Sequence, residues 1–256
     1  MFDFKNAYQD IERRGLIKQQ KAIIKERIQR NINLILLMTA LLFTVIYGTI
    51  EDPFENTMSN IGNYYDYRIA FIVWAIFSGT AIQTSILSLF KLQDYRPKKQ
   101  TYLIYLATFF LIGASLIPAI LPTYPILHAI HTVFAGMHAV CIFLSMQPYL
   151  KDVITKNPRL NSYIFYWQLL IWGGGIVVML ITFSGIFQLW FFVSLLMFLL
   201  YLTITLFEKS LFVKSLVFFS SKEDPKETVE KVFFNYEREF KKKKKGVRFL
   251  TKKKIS

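Results

Sequence analysis

The chain is predicted to be an all-α polytopic membrane protein, a bundle of six transmembrane helices with both termini cytoplasmic. Three observations predict this. Six long apolar runs contain no Lys, Arg, Asp or Glu between their ends. Their lengths suit the roughly 20 helical residues that cross a hydrocarbon core of about 30 Å, and only a helix or a closed barrel satisfies its own backbone there. The charges are segregated into the connecting segments. Overall, 54% of residues are hydrophobic and 19% are charged, against about 45–50% and 25% for soluble domains.

Taken in order, residues 1–31 come first. Ile11, Ile17, Ile24 and Ile28 stand there among basic residues, which predicts a loose amphipathic helix on the inner leaflet. This stretch is polar and the first apolar run is long enough to span, so no cleavable signal peptide is expected. Residues 32–207 form the predicted bundle, with spans at Asn33–Ile50, Ile69–Phe90, Tyr102–Leu121, Ile126–Leu150, Tyr163–Ser184 and Phe187–Phe207. A very short hairpin, Ser184–Gln188, joins the last two. Pro118, Pro122 and Pro125 mark the outer end of span three and its turn into span four. Gly173–Gly175 predicts close helix packing in span five, or a bend. Residues 208–256 are a basic tail with a predicted short helix over Glu223–Lys245 and a polybasic run, Lys241–Lys245 with Lys252–Lys254. No internal repeat is evident.

Orientation follows from the Lys/Arg bias. Residues 1–31, 91–100, 151–162 and 208–256 carry net charges of +4, +3, +2 and +8. The opposite side holds Glu51, Asp52, Glu55, Asp66 and Arg68, net −3, and together these account for the formal +14. The basic segments are therefore cytoplasmic. The Lys/Ile/Phe/Asn-rich composition predicts a bacterial source and a plasma-membrane location. The polybasic tail predicts attraction to anionic inner-leaflet lipid. Nucleic acid is not an expected partner, because no folded reader domain surrounds the basic run. The single Cys141 excludes an internal disulfide and a cysteine metal cluster, and reads as a small core residue.

Two groups of residues are candidates for chemistry. The first outer loop, Glu51 to Asn63, collects carboxylates, amides, hydroxyls and Gly62 ahead of span two, with Asp66 and Arg68 following. Its structural reading is a helix start capped by Ser59 or Asn60, with Gly62 supplying a turn. Its functional reading is a polar segment lining an outward-facing pocket, with Glu55, Asn56, Ser59, Asn60, Asp66 and Arg68 as ligand contacts. The second group is in span four. His128, His131 and His138 stand at i, i+3 and i+10, within one sector of about 80°. Ser145 extends the same stripe. His138 lies about 10 Å deeper than His131 by helical rise. Intramembrane ionisable groups usually face a partner or a cavity, and a neutral imidazole also serves as interhelical glue. Three histidines so spaced cannot share one ion. A metal would need two of them with Glu55 or Asp66, and no HxxxH or HExxH pair is present. Neither a metal nor another cofactor is expected. Gln83, Thr84, Ser85, Ser88 and Gln168 are further polar groups inside spans.

The stretch Met58-Ser59-Asn60-Ile61-Gly62 resembles the (I/L)S-x-x-G signature in the first outer loop of the Frag/DRAM/Sfk-type membrane protein superfamily, in particular its bacterial branch called domain of unknown function 998. That resemblance implies about six spans over residues 32–207, and a histidine at the outer start of span four after a Pro-containing loop, matched here by His131 or His128. Asn60 stands where an acidic residue is frequent. Eukaryotic relatives in that superfamily are linked to lipid handling. A rival resemblance is to ceramidase-like membrane hydrolases, through Glu55-Asn56-Thr57-Met58-Ser59-Asn60, although those have seven spans and a paired-histidine metal site. The expected function is recognition of a lipid or small amphiphile in an outward-facing polar pocket. One alternative is a membrane-embedded hydrolase of lipid amides or esters, with Ser59 or a metal-activated water attacking and His131 as base. Another is a small-solute transporter with Gln83, Gln168 and His138 along its path.

Overall fold

A computed structural model of the chain describes residues 4–95, 97–121, 123–181 and 184–220. Among them all regular structure is helical: α1 Phe4–Gly48, α2 Met58–Tyr64, α3 Arg68–Leu92, α4 Lys98–Leu116, α5 Pro125–Lys156, α6 Asn161–Gln168, α7 Gly174–Ile181 and α8 Gly185–Ser220. The predicted tail helix over Glu223–Lys245 and the polybasic run lie outside the described residues.

Among the described residues, five helices are long and apolar enough to cross a membrane: Ile17–Gly48, Arg68–Leu92, Pro125–Lys156, Pro158–Ile181 and Gly185–Leu216. The sixth apolar run is α4, and it ends at Leu116 rather than at Leu121. The physical reason is Pro118. A residue before proline is pushed out of the helical region, and Ile117 is extended, with φ −86° and ψ 127°. The helix also begins with Lys98-Lys99-Gln100, so its apolar part is only about 15 residues, a rise of roughly 22 Å.

The fifth span is composite. A 3₁₀ turn at Pro158–Leu160 leads into α6, a π-helical turn occupies Leu169–Gly173, and α7 follows. The wide π turn coincides with a specific donor: the Trp190 indole N–H bonds the Leu170 carbonyl at 3.0 Å. Gly174 admits the same indole, which a Cβ would approach to 3.0 Å. The glycine cluster therefore serves packing of α7 against α8, and the helix also widens there.

The chain divides into two compact units, Met1–Arg27 with Glu208–Ser256, and Ile28–Phe207. In the first, Glu26 accepts from the Ser210 hydroxyl at 3.1 Å and pairs with Lys214. In the second, the core is a column of rings. Tyr47, Phe71 and Trp74 stack with centroids 5.8–5.9 Å apart, and Phe192 meets Trp74 edge-on at 4.8 Å. The Trp74 indole donates to the Thr44 hydroxyl at 3.0 Å, tying α3 to α1. Lipid tails are as apolar as leucine, so packing and such polar bonds hold the helices together in a membrane.

The segment between α1 and α2 docks on the start of α8. The Ile186 N–H donates to the Pro53 carbonyl and the Met58 N–H to the Gln188 side-chain oxygen, both at 2.8 Å. The predicted hairpin shrinks accordingly, because residues 185–188 are already helical. Gly185 permits the contact: a Cβ there would collide with the Asn56 carbonyl oxygen, a backbone atom with no rotamer to escape into. Gly136, by contrast, has open space around it. Gly185→Ala is expected to destabilise the purified protein by about 1–3 kcal/mol. Gly136→Ala is expected to leave stability unchanged or raise it slightly. Thermal unfolding in one detergent compares the two, and equal melting temperatures would disprove the docking.

Candidate functional site

The polar residues of the first outer loop build α2 and its junction with α3. Thr57 is the N-cap of α2; its hydroxyl accepts from the Asn60 N–H at 3.1 Å. Ser59 and Asn60, the expected caps, are inside the helix instead, because the capping residue stands two residues ahead of Ser59 and three ahead of Asn60. The Ser59 hydroxyl is buried and pairs with the Thr57 hydroxyl at 3.0 Å. Gly62 is helical and supplies no turn; it allows close approach, since a Cβ would lie 2.8 Å from the Phe71 Cβ. The left-handed residue is Asp66, with φ 61°, a conformation that aspartate tolerates better than most side chains.

Arg68 organises the cluster. It stands at the start of α3 and donates to the Asn63 side-chain oxygen and to the Leu116 carbonyl, each at 2.6 Å. Asn63 in turn donates to the Ser59 carbonyl at 2.6 Å. The Tyr47 hydroxyl donates to the Met58 carbonyl at 2.9 Å. A guanidinium therefore joins α2, α3 and the end of α4. It is also close enough to interact electrostatically with His131 and Tyr47.

All three histidines face α4 or the segment after it. His138 Nδ1 bonds the Ala107 carbonyl at 2.9 Å, His131 Nδ1 bonds Ala114 at 2.8 Å, and His128 Nδ1 reaches Ala119 at 3.3 Å. A carbonyl only accepts, so Nδ1 carries the proton in each bond. As the histidine number falls the alanine number rises, which is the register of an antiparallel helix pair. The alanines leave room for the rings to reach the backbone. The bonds also serve the end of α4. The last four carbonyls of a helix lack intrahelical partners. Ile117 N–H covers Gly113 and Ala114, His131 adds a donor at Ala114, and Arg68 covers Leu116.

His138 lies deeper, stacked on Phe192 with centroids 5.7 Å apart and edge-on to Phe191 at 6.4 Å. Its Nε2 is buried without a hydrogen-bond partner.

The fold thus brings Ser59, Asn63, Arg68 and His131 into one region, with His128 beside it. It does not join the other candidates to them by direct bonds. Glu55 and Asp66 are exposed. Asn56 accepts from the Tyr65 hydroxyl at 3.1 Å and abuts Gly185. Ser59 is bonded to Thr57 and His131 to Ala114, so the two do not share a proton. No cluster of three or more His, Cys, Asp or Glu that could hold a metal occurs among the described residues.

Sequence reasoning overlooked Asn63 as a bridge, and also Tyr47, Thr57 and Gln188. Gln188 could have been noticed as an amide at the start of an otherwise apolar run. A second polar node also emerges: the Gln168 side-chain oxygen accepts from Gln147 at 2.6 Å and from Trp172 at 3.0 Å, next to the π turn. The chain matches no family model, no curated protein and no solved structure.

Asparagine places its amide nitrogen near the position of His Nδ1, whereas glutamine places it near Nε2. His131→Asn is therefore expected to keep the bond to Ala114. His131→Gln and His131→Ala lose it, at about 0.6–1.7 kcal/mol for a polar contact between membrane helices. Ranking the three variants by thermal unfolding checks this; a glutamine variant more stable than the asparagine one would contradict the Nδ1 assignment.

Proposed function

We propose that this protein is a plasma-membrane protein of six spans with both ends cytoplasmic, and that it recognises the polar head of a lipid or small amphiphile at the outward end of the bundle. The six-span reading is supported by the continuation of α4. The apolar Ile117–Leu121 follows the helix in a non-helical course, and Ala119 is fully packed. Non-helical backbone is tolerated at membrane depth where protein covers it; His128 donates to the Ala119 carbonyl there, and Arg68 and His131 donate to the Leu116 and Ala114 carbonyls at the end of α4 just before it. The charge distribution over the loops supports the orientation.

One observation carries the recognition reading. Arg68, a cation among four carboxylates in its loop, is drawn to the junction of α2, α3 and α4 and remains half-exposed. A guanidinium presents five N–H donors in a fixed fork, so a carboxylate or phosphate oxygen can bind beside its two protein acceptors. His131 and His128 add polar edges beside it, and the His131 ring lies 6.4 Å from that of Phe71. The version of the hydrolase alternative in which Ser59 attacks would need Ser59 and His131 to exchange a proton, and their hydroxyl and ring partners are other groups. The transport alternative would need Gln83, Gln168 and His138 to share a path; Gln168 is tied to Gln147 and Trp172.

Lipid mass spectrometry of the purified wild type and of Arg68→Gln tests the reading. A defined amphiphile retained by the wild type is expected to fall at least tenfold in the variant. The same amphiphile at full occupancy in Arg68→Gln would refute it, provided both proteins unfold at measurable and similar temperatures.

A further inference from the structure

At the opposite end of α3 and α4 the helices enclose an open cavity of about 620 Å³. Its geometry begins with the way α3 stops. The Tyr95 N–H bonds the Phe90 carbonyl at 2.8 Å and the Asp94 N–H bonds Lys91 at 3.2 Å, the two bonds of a Schellman turn. Asp94 takes the left-handed conformation, with φ 52°. The hydrophobic contact that accompanies such turns is the Phe90–Tyr95 ring pair, 5.2 Å apart. The turn sets Tyr95 and the end of α3 against the first turns of α4.

The cavity wall is amphiphilic in a graded way. Leu87 and Phe90 supply its apolar side, and Tyr102 and Tyr105 line it from α4. Lys91 and Lys98 stand at its rim, both exposed. Neither ammonium has an ion-pair partner among the described residues. The Thr101 hydroxyl is spent on the Pro97 carbonyl at 2.9 Å. Asp152, the carboxylate nearest in effect to Tyr95, is paired with Lys156 at 2.7 Å. Burial, and then Asp152, hold the Tyr95 phenol above its ordinary pKa, so it stays a neutral hydroxyl donor.

We propose that this α3–α4 groove is a binding site for an anionic phospholipid, with the phosphate between Lys91 and Lys98 and an acyl chain along Leu87 and Tyr105. A free phosphate ion would use the lysines and leave the apolar wall empty; a neutral amphiphile would use the wall and leave two cations unpaired. Tyrosines at this depth match the headgroup zone, where amphipathic rings concentrate. The groove residues are not those of the Arg68 cluster, and none belongs to the polybasic run near the C-terminus.

The test uses the full-length protein in detergent, titrated with phosphatidylglycerol or phosphatidylcholine and followed by native mass spectrometry. Three proteins are compared: wild type, Lys91→Gln/Lys98→Gln, and Lys252→Gln/Lys253→Gln/Lys254→Gln. Each basic residue near anionic lipid contributes roughly 1 kcal/mol, so losing two is expected to weaken the first phosphatidylglycerol at least tenfold. Phosphatidylcholine binding is expected to stay unchanged, and the tail variant is expected to keep the first phosphatidylglycerol. Equal phosphatidylglycerol affinity in wild type and the groove variant overturns the proposal. So does displacement of the lipid by millimolar inorganic phosphate, which would identify a simple anion site. Both lysines are exposed and have no ion-pair partner among the described residues, so an unchanged unfolding curve is expected to verify the fold of the groove variant.

Discussion

Carbonyl groups at the end of α4 must find donors outside their own helix. The last carbonyls of a helix lack intrahelical partners, and a buried one left unpaired costs about 1–3 kcal/mol. Pro118 makes α4 stop at Leu116. His131 and Arg68 answer that requirement, and His128 answers it for Ala119 beyond the helix. This end of the bundle is arranged around these donors. Arg68 must begin α3 at the right height, so the α2–α3 turn needs its left-handed Asp66. Asn63 must hold the other edge of the guanidinium, so α2 must end beside it.

The same constraint explains the histidine stripe. Three rings on one face of α5 could have lined a water-filled path. Instead each places Nδ1 on a carbonyl of α4 or its extension, and the register is that of two antiparallel neighbours. His138 belongs to the ladder by geometry but differs in need. The Ala107 carbonyl is inside α4 and uses only its second lone pair for the ring. His138 also contributes a flat face to the ring column that runs from Tyr47 to Phe192, so its role is as much packing as hydrogen bonding.

Close backbone approaches complete the same end. Gly62 seats Phe71, Gly48 seats Leu189, and Gly185 seats the loop carbonyl of Asn56. Gly62 and Gly185 lie where a short helix or loop meets a long helix, and Gly48 lies where α1 meets α8. The loop is consequently a structural lid over the start of α8 as well as the carrier of Arg68. The opposite end has a different character. The Schellman turn at Asp94 leaves a groove with lysines at its rim, and Lys156 ties α5 to the turn through the Gln93 carbonyl at 3.1 Å.

Much of this protein was readable without coordinates. Apolar runs of near-constant length, free of charge, determine helices in a membrane because no other open structure satisfies its backbone there. The Lys/Arg bias assigns their ends to two sides. Histidine spacing placed three rings on one face, since a helix turns by a known angle per residue. What the rings touch was not legible, because hydrogen-bond partners on α4 depend on the register of two helices, which no local pattern encodes. The partnership of Arg68 with Leu116, 48 residues away, and of Met58 with Gln188, 130 residues away, was likewise invisible. Periodicity and charge are properties of one segment and survive in the sequence alone. Donor–acceptor pairing and the fit of a glycine beneath a carbonyl belong to two segments at once, and only the tertiary structure decides them.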